Sequence, residues 1–474
     1  MRYYLIALTL LFSIQLYAQS TYTITAHISG LKDSTCYLAH YTSLGSGQFF
    51  IQDTARADAQ GNVIFTGNKK LPEGLYVVSI AKWRLFDVVI DADQNFELIT
   101  DVASIQQGNP PRHMKVIGSK ENELFYTFNE HMQQYVDQLS TISKDKTGQE
   151  QLREVQKKMS LYRNTFILEH AGSLTAMFLK AAFDPEIPPI PNLQNGKPDS
   201  TFAYRYYKKH YLDGIDFTDE RMLRTPFLQQ KIDTYFNNLV YQLPDSIITE
   251  ADQLMSRTKG HDMRRYVAYR ITSKYEQSKV VGVDGVFVHM GEKYYIGEPA
   301  LWDTSTVTNF KKRIETLKPL LVGKQIPNMY QTDTLGYNLN LYDVKANYTI
   351  LFIYSDECGH CQEAVPLLKK FYEKYKNLGV KIYATDMLRN KTEWIKFIHE
   401  YKTQDFINVT DIHTDPATKQ TVYYTDYLKT FDAVTTPTIY ILDKDKKILA
   451  RKIPAEELDK YFEFMLNRQA KSKS

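Results

Sequence analysis

The sequence predicts a multidomain α+β protein, with a small antiparallel β domain over 19–112, a mainly helical domain over 113–321 and an α/β domain over 322–468. Three observations carry this division. At 474 residues the chain exceeds what one hydrophobic core organises, so several domains are expected. Beyond Ser119 the spacing of apolar residues changes from two to about 3.6. Near Lys324 it changes again, and strand-like runs return in alternation with helical ones.

Residues 1–18 read as a cleaved export signal: Arg2 and the amino terminus are positive, an apolar run extends from Leu5 to Leu16, and Ala18 is a small residue before Gln19. The run is too short to cross a hydrocarbon core of about 30 Å, and no second apolar stretch of about 20 residues follows, so a spanning helix is not expected. No cysteine stands directly after Ala18, which argues against a lipid anchor of the bacterial type. The predicted location is the periplasm or cell envelope.

In the first domain, apolar and polar residues alternate over Thr21 to Ile28, Thr35 to Tyr41, Asn62 to Phe65, Leu75 to Ile80 and Phe96 to Thr100, with glycines at the turns between them. In the second, Leu124, Phe128, Met132, Tyr135 and Leu139 recur at helical spacing, and Leu152, Val155, Met159, Tyr162 and Phe166 repeat the pattern. After a bend rich in proline at Pro185, Pro188, Pro189 and Pro191, helical patterns resume over Phe202 to Tyr211, Phe227 to Leu243, Ile247 to Met255 and Met263 to Tyr275. The aromatic and Met stripes follow the helix period and read as core. In the third domain, strands are predicted at Tyr348 to Tyr354, Val380 to Thr385, Thr438 to Leu442 and Lys447 to Ala450, and 469–474 reads as a disordered basic tail.

Composition narrows the function. Lys and Arg number 58 against 55 Asp and Glu, and the two signs are interspersed, so nucleic acid is not a predicted partner. Only three cysteines are present, Cys36, Cys358 and Cys361, too few for a disulfide scaffold in an exported chain. Two of them are separated by two residues, and that spacing points to redox chemistry. Cys36 lies in a predicted strand without a local partner and reads as a small buried apolar residue.

Cys358 and Cys361 fall where a buried strand, Thr349 to Tyr354, meets a helix over Ala364 to Tyr375. The unpaired N–H groups and dipole at a helix start stabilise a thiolate, so the Cys358 thiol is expected to ionise below the free value of about 8.5. Residues three apart in a first helical turn project to the same side, which brings the sulfurs to bonding distance, and Gly359 is expected to add freedom for the turn. Cys358 is the expected attacking thiol and Cys361 the resolving one. A His360 imidazolium beside the thiolate would make the couple moderately oxidising, nearer about −180 mV than about −270 mV. Two other readings compete, an inert structural disulfide and half of a metal site. The metal reading needs ligands such as His399 or His413, and no ordered His or Cys spacing supplies them.

The order of a strand, Cys358-Gly359-His360-Cys361, Pro366 and then Thr435-Thr436-Pro437-Thr438 opening a strand resembles the thioredoxin superfamily. More narrowly, the leader, the lead-in Gln325-Ile326-Pro327-Asn328 and the insertion between Asp386 and Thr435 resemble the TlpA/ResA-like envelope thioredoxins. The β-rich start and helical middle are similar to the domains that precede such modules in Bacteroidota envelope proteins. The resemblance implies a thioredoxin-like α/β domain in which Pro366 kinks the active-site helix. It further implies that Pro437 is a cis-proline facing the disulfide, with Thr436 offering backbone groups to a substrate peptide.

It also implies a thiol-disulfide oxidoreductase acting on exported proteins and recharged by an envelope thiol donor, with no cofactor beyond the Cys358–Cys361 disulfide and no metal. Three positions depart from the family pattern: Glu357 replaces a common Trp, Phe352 a buried Asp, and Ala364 a Glu. The proton acceptor for Cys361 is therefore open, with Asp356, Glu357 and Glu363 as candidates, each read first as a solvated surface carboxylate. The competing functions are a non-enzymatic binding module on a thioredoxin scaffold and a thiol peroxidase. The sequons at Asn347 and Asn408 are short and frequent by chance, and carry no weight.

Overall fold

Inward and outward side chains alternate strictly along β1 (Tyr22–Ser29), where Tyr22, Ile24, Ala26 and Ile28 are buried, and this pattern builds the first sheets. The computed structural model describes residues 21–41, 49–105, 110–142, 146–276, 278 and 280–471. The export signal and residues 472–474 of the expected tail lie outside that range. The described residues divide into two compact units, one reaching to Leu239 together with Arg257–Met263, the other holding Val240–Ser256 and everything from Arg264 onward.

The first unit adds β2 (Thr35–Tyr41), β3 (Phe49–Arg56), β4 (Asn62–Gly67), β5 (Gly74–Ile80), β6 (Trp83–Ile90), β7 (Asn95–Asp101) and β8 (Lys115–Ile117). They form two four-stranded sheets, ordered β4-β1-β7-β8 and β3-β2-β5-β6. All pairings are antiparallel except β1 with β7, which run parallel because the chain builds the second sheet before returning. β3, β6 and β8 were not legible in the sequence. β3 is an edge strand with mostly exposed residues, and β6 is buried almost continuously, so neither alternates cleanly.

Among the described residues, the α-helices lying wholly in this unit are α1 (Lys120–Thr141), α2 (Lys146–Glu169), α3 (Leu174–Ala182), α4 (Phe202–His210) and α5 (Phe227–Thr234). α1 starts at Ser119, whose hydroxyl accepts from the Asn122 N–H. The buried Asn122 amide then exchanges two hydrogen bonds with the backbone of Val89 on β6, at 2.9 and 2.7 Å, which docks the helix on the sheet.

The second unit contains α6 (Pro244–Arg257) and α7 (His261–Glu276) for most of their length, then α8 (Asp284–Met290) and α9 (Thr304–Leu317). After these come β9 (Tyr330–Asp333), β10 (Asn338–Asn340), β11 (Tyr348–Tyr354), α10 (Gly359–Tyr375), β12 (Val380–Asp386), α11 (Lys391–Glu400), β13 (Ile407–Thr410), β14 (His413–Thr414) and β15 (Thr421–Val422). The chain ends with α12 (Tyr427–Phe431), β16 (Thr438–Asp443), β17 (Ile448–Arg451) and α13 (Leu458–Lys471). The helical stretch expected as one domain over 113–321 is thus shared between the units. The reason is packing: Ile314 and Leu317 of α9 join a core with Phe287 and Val288, and Arg313 pairs with Asp432 beside α12. Residues 469–471, expected in the tail, continue α13.

The seven-stranded sheet is ordered β10-β9-β13-β12-β11-β16-β17. β11, β12 and β13 run parallel, while β16 is antiparallel to β11. β11 is buried on both faces, as its unbroken apolar run requires. Ile350, Phe352 and Tyr354 meet α10 and α13, and Leu351 and Ile353 meet the opposite core with Tyr427 and Phe431. This places the end of β11 and the start of α10 at the C-terminal edge of a central strand, a common position for chemistry in α/β sheets.

Candidate redox site

Cys358 is the N-cap of α10, with extended backbone angles of φ −87° and ψ 115°, and Gly359 opens the helix. The helix therefore starts five residues earlier than the apolar spacing alone indicated. Pro366 lies within it, as the resemblance implied. The Cys361 and Gln362 N–H groups both donate to the Cys358 carbonyl, at 3.0 and 3.1 Å, which fixes the first turn. Both cysteines are free thiols in this structure; Cys358 is partly exposed and Cys361 fully buried.

The two thiols are tuned in opposite directions. Partial burial by itself would raise Cys358, but hydrogen bonds from the Cys361 thiol, from Thr436 and from the Cys361 and His360 backbone outweigh it, so Cys358 ionises below the usual thiol value. Cys361 is pushed up to about 12, first by burial and then by the Cys358 sulfur beside it.

The Thr436–Pro437 peptide bond is cis, and the loop that carries it faces the first cysteine: the Cys358 thiol donates to the Thr436 carbonyl at 3.4 Å. The structure thus brings Cys358, Cys361, Thr436 and Pro437 to one place. Two expectations differ in detail. The His360 side chain is largely exposed, its Nδ1 lying 3.4 Å from Glu363, so its contribution to the thiolate comes from the backbone N–H rather than the imidazole. Gly359 has no left-handed φ, and a Cβ there would meet nothing within 4 Å, so the turn does not require glycine.

Of the three carboxylates considered for Cys361, Glu357 and Glu363 are exposed, but Asp356 is buried and neither of its carboxyl oxygens has a hydrogen-bond partner. The surface reading of Asp356 is therefore corrected. Burial, followed by the charge of Glu357, raises its pKa. A second buried carboxyl, Asp386, was missed. It ends β12 directly opposite Tyr354 of β11 and is raised to about 6, chiefly by burial and also by Asp356, although the Arg389 N–H donates to it at 2.9 Å. The Tyr354 hydroxyl is held far above its ordinary value by burial and by the neighbouring charges of Asp386, Asp356 and Cys361. A lone Asp after an apolar strand reads as a turn residue, and only the β11–β12 register reveals its neighbours. Phe352, where the family keeps an acid, is buried and stacks on Tyr354 at 4.9 Å.

Among the described residues no group of three or more His, Cys, Asp or Glu is arranged to hold a metal. His413, weighed as a ligand, instead contacts Asp411 at 3.1 Å and the Tyr330 carbonyl at 3.0 Å. His413 and Tyr330 line a cavity of about 700 Å³ with Lys391, Trp394 and Tyr424, and neither cysteine borders it. Among the same residues, no helix is long and apolar enough to cross a membrane.

Comparison with known proteins agrees with this geometry. Residues 322–451 match the AhpC/TSA family, 141–318 match a domain of unknown function (DUF5106) and 22–125 match another (DUF4369). A domain of a possible thiol-disulfide isomerase from Cytophaga hutchinsonii is 40% identical, with 32% of this chain covering 98% of that one at a TM-score of 0.29. The C-terminal part of this chain belongs to the thioredoxin-like thiol-disulfide oxidoreductases. Within that family, the thiol-disulfide oxidoreductase ResA of Bacillus cereus is 27% identical over 145 residues, 30% of this chain and 77% of ResA. The ResA of Bacillus subtilis is 25% identical over 127 residues, 27% of this chain and 64% of its own. A thioredoxin-like protein from Bacteroides caccae, 18% identical, is covered over 99% of its length by 59% of this chain at a TM-score of 0.45.

Proposed function

We propose that this chain is an exported thiol-disulfide oxidoreductase in which Cys358 attacks and Cys361 resolves. The observation that carries the reading is a partly exposed Cys358 at the N-cap of α10, with a buried Cys361 one turn on and the cis-Pro437 loop facing Cys358, an arrangement that lowers the first thiol and raises the second. The Cys358 thiolate attacks one sulfur of a substrate disulfide, and an S–S bond forms between them while the other substrate sulfur leaves as a thiolate and takes up a proton. Cys361 then gives up its proton and attacks the Cys358 sulfur. The second substrate thiolate is released and the Cys358–Cys361 disulfide remains, so two electrons have passed from the dithiol to the substrate. A thiol donor of the cell envelope restores the dithiol by the same exchange, and no other cofactor is needed.

We assign the buried carboxyls Asp356 and Asp386 as the store for the Cys361 proton, with Tyr354 coupled to both carboxyls and to Cys361. The cis-Pro437 loop, with Thr436, is the surface that lines up the substrate peptide opposite Cys358. The leader at 1–18 supports export, and substrates are accordingly exported proteins with thiols or disulfides.

The test is Cys358→Ser in the full-length protein. Turnover of a glutathionylated peptide is expected to fall at least about a thousandfold, equivalent to about 4 kcal/mol of barrier. Retained turnover, or a wild-type Cys358 that titrates as an ordinary thiol, would refute the assignment.

A further inference from the structure

Asp432 is fully buried and takes no part in the exchange chemistry, yet it gathers three cations, one from α9 and two adjacent ones at the end of β17. Arg313 of α9 donates to both of its carboxyl oxygens, at 2.5 and 3.2 Å. Arg451, at the end of β17, reaches it at 2.9 Å, and Lys452 at 2.7 Å. Arg451 is also paired with Asp284 of α8 at 3.1 Å.

The position of this cluster matters more than its strength. Asp432 closes α12 in a left-handed conformation with φ 48° and ψ 35°, and four residues later Thr436 meets the Cys358 thiol. The loop between them is held at both ends. At its start, Asp432 is fixed by the cations, the Ala433 N–H donates to the Tyr427 carbonyl at 3.1 Å, and the Tyr440 hydroxyl donates to Phe431. At its far end, the Thr438 hydroxyl donates to Thr435 at 2.6 Å as β16 enters the central sheet. Val434 and Thr435, in the middle of the loop, are exposed. The two anchors bracket Thr436 on either side.

Geometry separates Arg313 from the other two cations: it reaches both carboxyl oxygens of Asp432, whereas Arg451 and Lys452 meet one, and it does so from a helix outside the loop and its sheet. We propose that Arg313 is a positioning residue for disulfide exchange, fixing through Asp432 the loop that sets Thr436 against Cys358. Helix α9, which precedes the family-matched segment, is thereby part of the working redox site. The inference rests on the reading of Cys358 as the nucleophile.

The experiment uses full-length wild-type, Arg313→Leu and Arg313→Lys proteins, with a glutathionylated peptide as the probe and ultraviolet titration of the Cys358 thiolate alongside. Because a loosened loop misplaces substrate more than it alters the sulfur chemistry, Arg313→Leu is expected to raise KM about three- to tenfold with kcat within about twofold. The Cys358 titration is expected to move upward as the hydrogen bond from the Thr436 side chain, which lowers it, weakens. Arg313→Lys, which keeps the charge, should recover at least half of both changes.

A folded Arg313→Leu protein with wild-type KM and wild-type titration overturns the proposal, even if its melting temperature falls. Should Arg313→Leu resist purification, Arg313→Gln is measured the same way and judged by the same two quantities. An inactive wild type with an ordinary Cys358 thiol would instead strike at the nucleophile assignment, so the two failures are told apart.

Discussion

Two thiols of this protein are completely buried, Cys36 in β2 of the first unit and Cys361 in the first turn of α10 in the second, and burial raises both, to about 11 and about 12. By residue type and burial they are nearly the same group. What differs is the company. Cys36 is surrounded by sheet neighbours, and its pKa is raised by burial alone. Cys361 has a second sulfur one helical turn away, and that sulfur sits at the N-cap with a lowered pKa. On the proposed reading, disulfide exchange belongs to a place, the junction of β11 with α10, and a buried cysteine elsewhere is a packing residue.

The comparison can be broken most severely at Cys361. With Cys361→Ala, a mixed disulfide on Cys358 has no internal thiol to release it, so multiple turnover should drop at least about a hundredfold, about 2.7 kcal/mol. Substrate should accumulate as a covalent adduct seen by mass spectrometry. Free multiple turnover would mean that the pair does not act as attacker and resolver.

Asp386→Asn sharpens the picture through pH. The folded protein holds Asp386 near 6 against an ordinary value of 3.8, so folding favours the protonated acid. Below the ordinary value both folded and unfolded chains carry the proton and nothing is lost. As pH rises from there through about 6 the unfolded chain ionises first, and stability declines until the burden is complete above 6, on the order of 3 kcal/mol. The Asn variant carries no such burden. Thermal melts should show no difference from wild type near pH 4 that depends on ionisation, and a growing advantage for Asp386→Asn up to pH 8. A difference independent of pH would show that Asp386 is not held protonated by the fold. In turnover the same variant is expected to slow resolution by Cys361 about 10- to 100-fold.

The smallest effect is expected at the other buried thiol. Cys36→Ala removes one sulfur from a packed sheet, a loss of about 1 kcal/mol in denaturant melts, and leaves turnover unchanged. A fall in turnover there would dissolve the contrast between the two thiols.

The proposed redox motif was legible in the chain because it is local. A buried strand, two cysteines three apart and a helix declare a thiolate at a helix start through backbone geometry alone. The Thr436-Pro437 pair was found through its resemblance to a known pattern rather than through its residue types. The strands at Tyr22–Ser29, Thr35–Tyr41 and Tyr348–Tyr354 were legible for a related reason: regular alternation or an unbroken apolar run is written in consecutive residues.

What the linear order left open are the relations between residues far apart in the chain. The parallel register that sets Asp386 beside Tyr354 joins strands separated by a whole helix, and Asp356 was read as a surface acid because nothing near it in sequence reveals that it is covered. The Arg313–Asp432 pair spans 119 positions, so no periodicity or motif could announce it. Local chemistry and period are properties of neighbours along the chain and are settled by the amino acids themselves. Burial, charge coupling and the hold of α9 on the cis-Pro437 loop exist only once the sheet and its helices have packed, because each depends on groups that the folded chain alone brings together.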